Sequence, residues 1–132
     1  MGTALYFLPH LAAMPERAGA AVSAVVNAPA GGVLFHCMGG RDRTGLLAMA
    51  LLRAIGTDPE CIVDDYLETV RLGDLRAAIS KRNNAEPMLE ELCRKHGTST
   101  EGAFRDALAK FDLRVFLDSA ELTDEDREGL FT

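Results

Sequence analysis

The run His36-Cys37-Met38-Gly39-Gly40-Arg41-Asp42-Arg43-Thr44-Gly45 constrains this chain more than any other part of it. Before it stands Val33-Leu34-Phe35-His36, an apolar stretch without polar alternation, which predicts a short strand buried on both faces. After it, Thr44 to Ile55 is almost wholly apolar and Gly56 follows, predicting a central helix with a left-handed stop. A strand delivered to a cysteine, five short or polar residues, an arginine and then a helix must curl around something. Gly39 and Gly40 permit backbone conformations closed to other residues, so successive N–H groups can turn inward as an anion nest above the helix N-terminus.

That setting favours a thiolate, because helix N-termini and nearby arginines bring cysteine pKa values down to roughly 3.5 to 7.5. Cys37 is the expected nucleophile, and Arg43 the planar fork that grips two oxygens of a phosphate and holds the charge that develops on them. Asp42 is the nearest carboxyl group for proton transfer, and the Thr44 hydroxyl is expected to hydrogen-bond the sulfur. Met38, Gly39, Gly40, Arg41, Asp42 and Arg43 are the expected substrate-binding residues, and His36 is better suited to fixing the loop than to acting as a base. A buried structural cysteine is the ordinary fate of a free thiol, but not with the glycines and arginine in this register. For Asp42 the rival role is a loop carboxylate paired with a neighbouring arginine.

Cys93 and His96, with His36 and Cys37, have the residue types of a zinc site, yet a metal on Cys37 would remove its nucleophilicity, so no metal and no cofactor are expected. Arg71, Arg76, Lys81 and Arg82 read as a solvated helix face ahead of a surface that steers polyanionic headgroups.

The segment resembles the Cys-x5-Arg signature of the protein tyrosine phosphatase superfamily, and its longer form His-Cys-x-x-Gly-Arg-Asp-Arg-Thr-Gly is similar to the bacterial tyrosine phosphatase-like family. Asp65-Tyr66 and His96-Gly97 through Phe104-Arg105-Asp106-Ala107-Leu108 also resemble that family's C-terminal half. The resemblance implies hydrolysis of phosphotyrosine and, in some members, phosphoinositides, with Asp42 as an in-loop general acid. It implies a helix-rich α/β fold whose N-terminal strands lie outside this chain. Arg41 stands where relatives often have Lys.

With 132 residues a single domain over 1–132 is expected, and 48% hydrophobic with 26% charged residues is ordinary for a folded chain. A net charge of −6 argues against a nucleic-acid partner. Three cysteines do not make a disulfide framework and fit a reducing compartment; with no signal peptide and no apolar run long enough to span a bilayer, the reading is cytoplasmic, with no integral membrane segment.

Elsewhere the pattern predicts helices from Pro15 through Val26, from Pro59 along the Ile62, Val63, Tyr66, Leu67, Val70 face, over Asp74–Lys81, and from Pro87 with Met88, Leu89, Leu92 and Cys93 inward. A Thr98/Glu101 capping box should open a helix carrying Phe104, Leu108 and Phe111, and Thr123 a last acidic one. A second strand is assigned to Ala4–Leu8. A lone buried strand needs a partner, so self-association through its edge is a further expectation. Two other functions stay open: a catalytically weak phosphate-binding remnant, and another Cys-x5-Arg chemistry such as sulfur transfer or arsenate reduction.

Overall fold

The computed structural model describes residues 2–131, and among them the regular structure is entirely helical. A 3-10 turn at Ala4–Tyr6 leads into α1 (Phe7–Ala13), α2 (Pro15–Val26), α3 (Asp42–Ala54), α4 (Pro59–Arg71) and α5 (Gly73–Ser80). Then come α6 (Glu86–Lys95), α7 (Thr100–Lys110), α8 (Leu113–Ser119) and α9 (Asp124–Leu130).

Local chemistry explains most of these boundaries. Asp58 accepts from the Glu60 N–H at 2.9 Å with Pro59 at the first helical position, so α4 begins with an orphan donor satisfied. At the end of α3, Gly56 at φ +79° lets its N–H reach the Arg53 carbonyl and the Thr57 N–H reach the Leu52 carbonyl. The same paired closure at Gly97 ends α6. Thr123 and Asp126 exchange side-chain and backbone bonds of 3.0 and 3.2 Å as a full capping box for α9.

Several expectations are corrected. Val33–His36 forms no strand: Val33 and Leu34 are exposed, and among the described residues no second extended segment pairs with them. The stretch Ala4–Leu8 is a 3-10 turn running into α1, a short apolar run whose periodicity does not separate strand from helix. The cap of α7 is Ser99, accepting from the Gly102 N–H at 2.9 Å, because Thr98 is used in closing α6. Phe111 lies beyond the end of α7, and Asp112 caps the unanticipated α8. On α6, Leu89 and Cys93 face the core while Met88 and Leu92 face outward.

The core forms where the first turn, α3, α4 and α7 meet. Tyr66 stacks on Phe104 with ring centroids 4.1 Å apart and planes 6° from parallel, and Phe7 meets both rings edge-on at 6.2 Å. Gly45 sits close against this cluster, since a Cβ there would lie 3.3 Å from Tyr66 and 3.6 Å from Phe7. The start of α3, which carries Cys37's loop, is thereby seated against the best-packed part of the molecule.

Candidate active site

The loop from Cys37 to Arg41 lies between the irregular segment 32–36 and the first turn of α3. The first amides of a helix have no helical acceptor, and here they are used. Cys37 is partly exposed, and the N–H groups of Thr44, Gly40 and Arg41 lie close enough to its sulfur to favour the thiolate. Burial pushes the thiol up, but those amides and the Thr44 hydroxyl outweigh it and lower the thiol to about 6. Gly40, at φ +68°, makes the turn that presents its N–H inward.

The Thr44 hydroxyl is buried beside the sulfur, close enough to stabilise the thiolate yet short of a well-formed hydrogen bond, and has no other partner among the described residues. Arg43 is exposed on the first turn of α3, with no ion-pair partner among the described residues. It lines a cleft of about 410 Å³ together with His36, Phe35, Leu34 and the α2 side chains Ala21 and Val25. Asp42 is half-buried and accepts from Arg41 at 3.2 Å. The Nδ1 of His36 lies 3.3 Å from the Cys37 carbonyl oxygen, which accepts, so this imidazole bonds to the loop backbone.

Arg41 divides its roles. Its N–H joins the ring around the sulfur, while its guanidinium turns into the protein, buried, and donates through Nε to both oxygens of Glu86 and through a terminal nitrogen to the Gly2 carbonyl. Met38 projects into solvent at 83% exposure, beside a second cleft of about 490 Å³ that Gly39, Arg76 and Arg82 also line. Of the basic cluster, Arg76 reaches the loop, donating to the Gly39 carbonyl at 3.4 Å, whereas Arg71 is paired with Glu68 at 3.0 Å.

The structure does not gather the cysteines. Cys61 is exposed on α4, Cys93 is fully buried in the core, and His96 bonds the Leu92 carbonyl at 3.0 Å at the end of α6. Among the described residues, no group of His, Cys, Asp and Glu is arranged to hold a metal ion. No helix among them is long and apolar enough to cross a membrane.

Tyr6 was not visible from the sequence. Its phenol, buried without a partner among the described residues, is pushed up to about 12 by burial first, then by the negative charges of Asp42 and Cys37, with Arg43 and Arg41 acting the other way. The 3-10 turn brings it to the loop, and no spacing in the sequence foretells that approach.

The sequence pattern of the tyrosine phosphatase family matches residues 5–131. The triple specificity protein phosphatase PtpB of Mycobacterium tuberculosis is 41% identical over 81 residues, 58% of this chain and 29% of that protein. A protein of Cupriavidus necator named as a tyrosine-protein phosphatase is 40% identical over 57 residues, 42% of this chain and 21% of that protein. The chain therefore aligns with less than a third of either relative's length. No solved structure matches it. With the family pattern running through all nine helices described, and a cysteine at the focus of the amides that open α3, the chain belongs to the tyrosine phosphatase family.

Proposed function

We propose that the chain hydrolyses phosphomonoesters, phosphotyrosine first and phosphoinositides second, through a cysteinyl-phosphate intermediate. The observation that carries this reading is the convergence of the Gly40, Arg41 and Thr44 amides on a Cys37 thiol lowered to about 6. A sulfur ionised at neutral pH inside a ring of donors is a nucleophile poised for an oxyanion.

In the first step the Cys37 sulfur attacks phosphorus, an S–P bond forms, the ester P–O bond breaks, and the leaving oxygen takes a proton from Asp42. Arg43 and the loop amides stabilise the equatorial oxygens as charge spreads over them. In the second step water attacks phosphorus, the Asp42 carboxylate takes its proton, and the S–P bond breaks to return the thiolate. The Thr44 hydroxyl eases that departure. Asp42 accepts one hydrogen bond, from Arg41, in the resting loop, and proton transfer requires that it give up this contact.

The fold reading goes with this function. The chain is the helical portion of an α/β phosphatase domain in which further strands pair with residues 33–36, and the same uncovered edge permits self-association. One observation favours the weaker alternative, a phosphate-binding remnant with little turnover: Leu34 is 90% exposed directly before the loop. Hydrolysis of an aryl phosphate is the test, with the parent chain, Cys37→Ser and Arg43→Lys side by side. The parent should turn over and both variants should lose at least two orders of magnitude. Equal rates in all three remove the mechanism, and vanadate binding without turnover identifies the remnant.

A further inference from the structure

Resting on that reading of the loop, we propose that Arg41 and Glu86 are positioning residues, a buried ion pair between the loop and α6 that aims the Gly40 and Arg41 N–H groups at the Cys37 sulfur. Nothing in the order of residues suggested it. An arginine between the loop glycines and Asp42 invites assignment to the substrate phosphate, yet this residue is 4% exposed and lines the second cleft, with Gly39 and Arg76, rather than the cleft that Arg43 lines.

Its surroundings are complete on one side. Nε donates to Glu86, with the Oε2 contact at 3.1 Å, and one terminal nitrogen donates to the Gly2 carbonyl and to Asp42 at 3.2 Å. The guanidinium lies 5.6 Å from the centroid of the Tyr66 ring. Glu86 and Asp42 together balance its charge, so among the loop's arginines Arg43 alone remains for a bound oxyanion.

Glu86 is held just as firmly. Its N–H donates to the Asn84 side chain at 2.9 Å, and the Asn84 amide donates to Asp74 on α5 at 2.9 Å. A Cβ on Gly73 would come within 2.9 Å of the Glu86 Cγ and 2.7 Å of Asn84, so the start of α5 fits closely against the start of α6. Arg76 completes the frame: it lies 3.8 Å from Glu86, donates to the Thr69 carbonyl at 2.9 Å, and reaches the Gly39 carbonyl at 3.4 Å. The stretch from Gly39 to Arg41 is thus tied at both ends, by Arg76 at its first carbonyl and by Glu86 at its last side chain. The Gly40 and Arg41 amides between are two of the three that act on the sulfur, Thr44 being the third. Bonds at both ends of so short a stretch leave it few other conformations.

The test reads the thiolate directly and needs no turnover. In a Cys61→Ser background, with Cys93 buried, iodoacetamide alkylation followed against pH reports Cys37 alone. The other charged and titratable groups around the loop are Tyr6, His36, Asp42, Arg43 and Arg76, and each stays unchanged in the Glu86 variants. In the parent the alkylation midpoint should fall near 6. Glu86→Ala should raise it by about one pH unit, and Glu86→Gln, which keeps an acceptor for Nε, by less. Arg41→Lys, which keeps charge without the planar fork, should also raise it.

A midpoint equal to the parent's in folded Glu86→Ala overturns the proposal. If Glu86→Ala does not fold, Glu86→Gln and Arg41→Lys decide in its place, and parental midpoints in both overturn it. Asp112→Ala, which removes a helix cap at α8, serves as the comparison for general loosening. It should lower the melting temperature and leave the midpoint alone, and an equal shift there would also overturn the proposal. If the variants shift as expected while the parent hydrolyses no aryl phosphate, the phosphatase reading fails and the positioning role stands.

Discussion

Phe7 and Leu34 are both large apolar side chains, one beside Gly45 at the start of α3 and the other three positions before Cys37, and their surroundings are opposite. Phe7 is fully buried against Tyr66 and Phe104, whereas Leu34 is 90% exposed. The first belongs to a wall in which four elements close on one another; the second belongs to an irregular segment in which Val33, Leu34 and His36 are exposed. α2 shows the same division across its own width. Gly19 and Val22 are buried, with Gly19 against α8, while Ala21 and Val25 line the cleft beside Leu34. Hydrophobicity alone therefore does not decide burial here. A helix brings its own hydrogen bonds and needs only a neighbour for one face; an extended segment needs a neighbour for its amides as well. The loop is built where these two conditions meet, with one end anchored in a packed core and the other uncovered.

The comparison breaks most readily at the aromatic wall. Phe104→Ala removes the ring stacked on Tyr66 and should cost about 3–5 kcal/mol, measured by urea unfolding, which is a large share of a domain's stability. A loss under about 1 kcal/mol would mean that the wall is as loosely covered as the Leu34 side.

Next in size is the small residue on which α2 depends. A Cβ at Gly19 would sit 2.0 Å from the Ala120 carbonyl oxygen, a backbone atom that does not rotate away. Gly19→Ala gains about 1 kcal/mol of helix propensity, but the overlap should reverse the sign and leave a net loss of about 1–3 kcal/mol. A stabilised variant in a thermal melt would show that α8 moves freely on α2.

How much of this could be read beforehand follows from the range of the interactions. Asp58-Pro59, Gly56, Gly97 and Thr123 mark helix ends through bonds to residues a few positions away, and all four are found where the pattern puts them. The short range from Cys37 to the start of α3 is of the same kind, since only a few residues separate them. Arg41 fails that condition: its partner, Glu86, lies 45 positions along the chain, and only the meeting of α5 and α6 brings them together. Tyr6 reaches the loop by a similar route. The strand expected at Val33–His36 depends on a neighbouring strand that no described residue supplies, so the apolar run was read correctly in composition and wrongly in burial.

A smaller effect belongs to the helix caps. Asp112 accepts from the Val115 N–H at 3.1 Å on a short helix that packs against α2 and α3, and Asp112→Ala should cost about 1 kcal/mol in urea unfolding. A loss much larger than the cap's own bond would show that α8 comes away as a unit and takes part of the buried face of α2 with it.

The smallest expected change is also the sharpest reading of the uncovered side. Leu34→Lys replaces a side chain that touches little in the isolated chain, so its unfolding free energy should move by no more than about 0.5 kcal/mol. Measured at low and at high protein concentration, that small change should be the same. If instead the parent is stabilised as concentration rises and Leu34→Lys removes the dependence, then Leu34 is covered in solution by another copy, because only association makes stability depend on concentration. Under that outcome the contrast with Phe7 disappears: both residues would be buried, one by its own chain and one by its neighbour's.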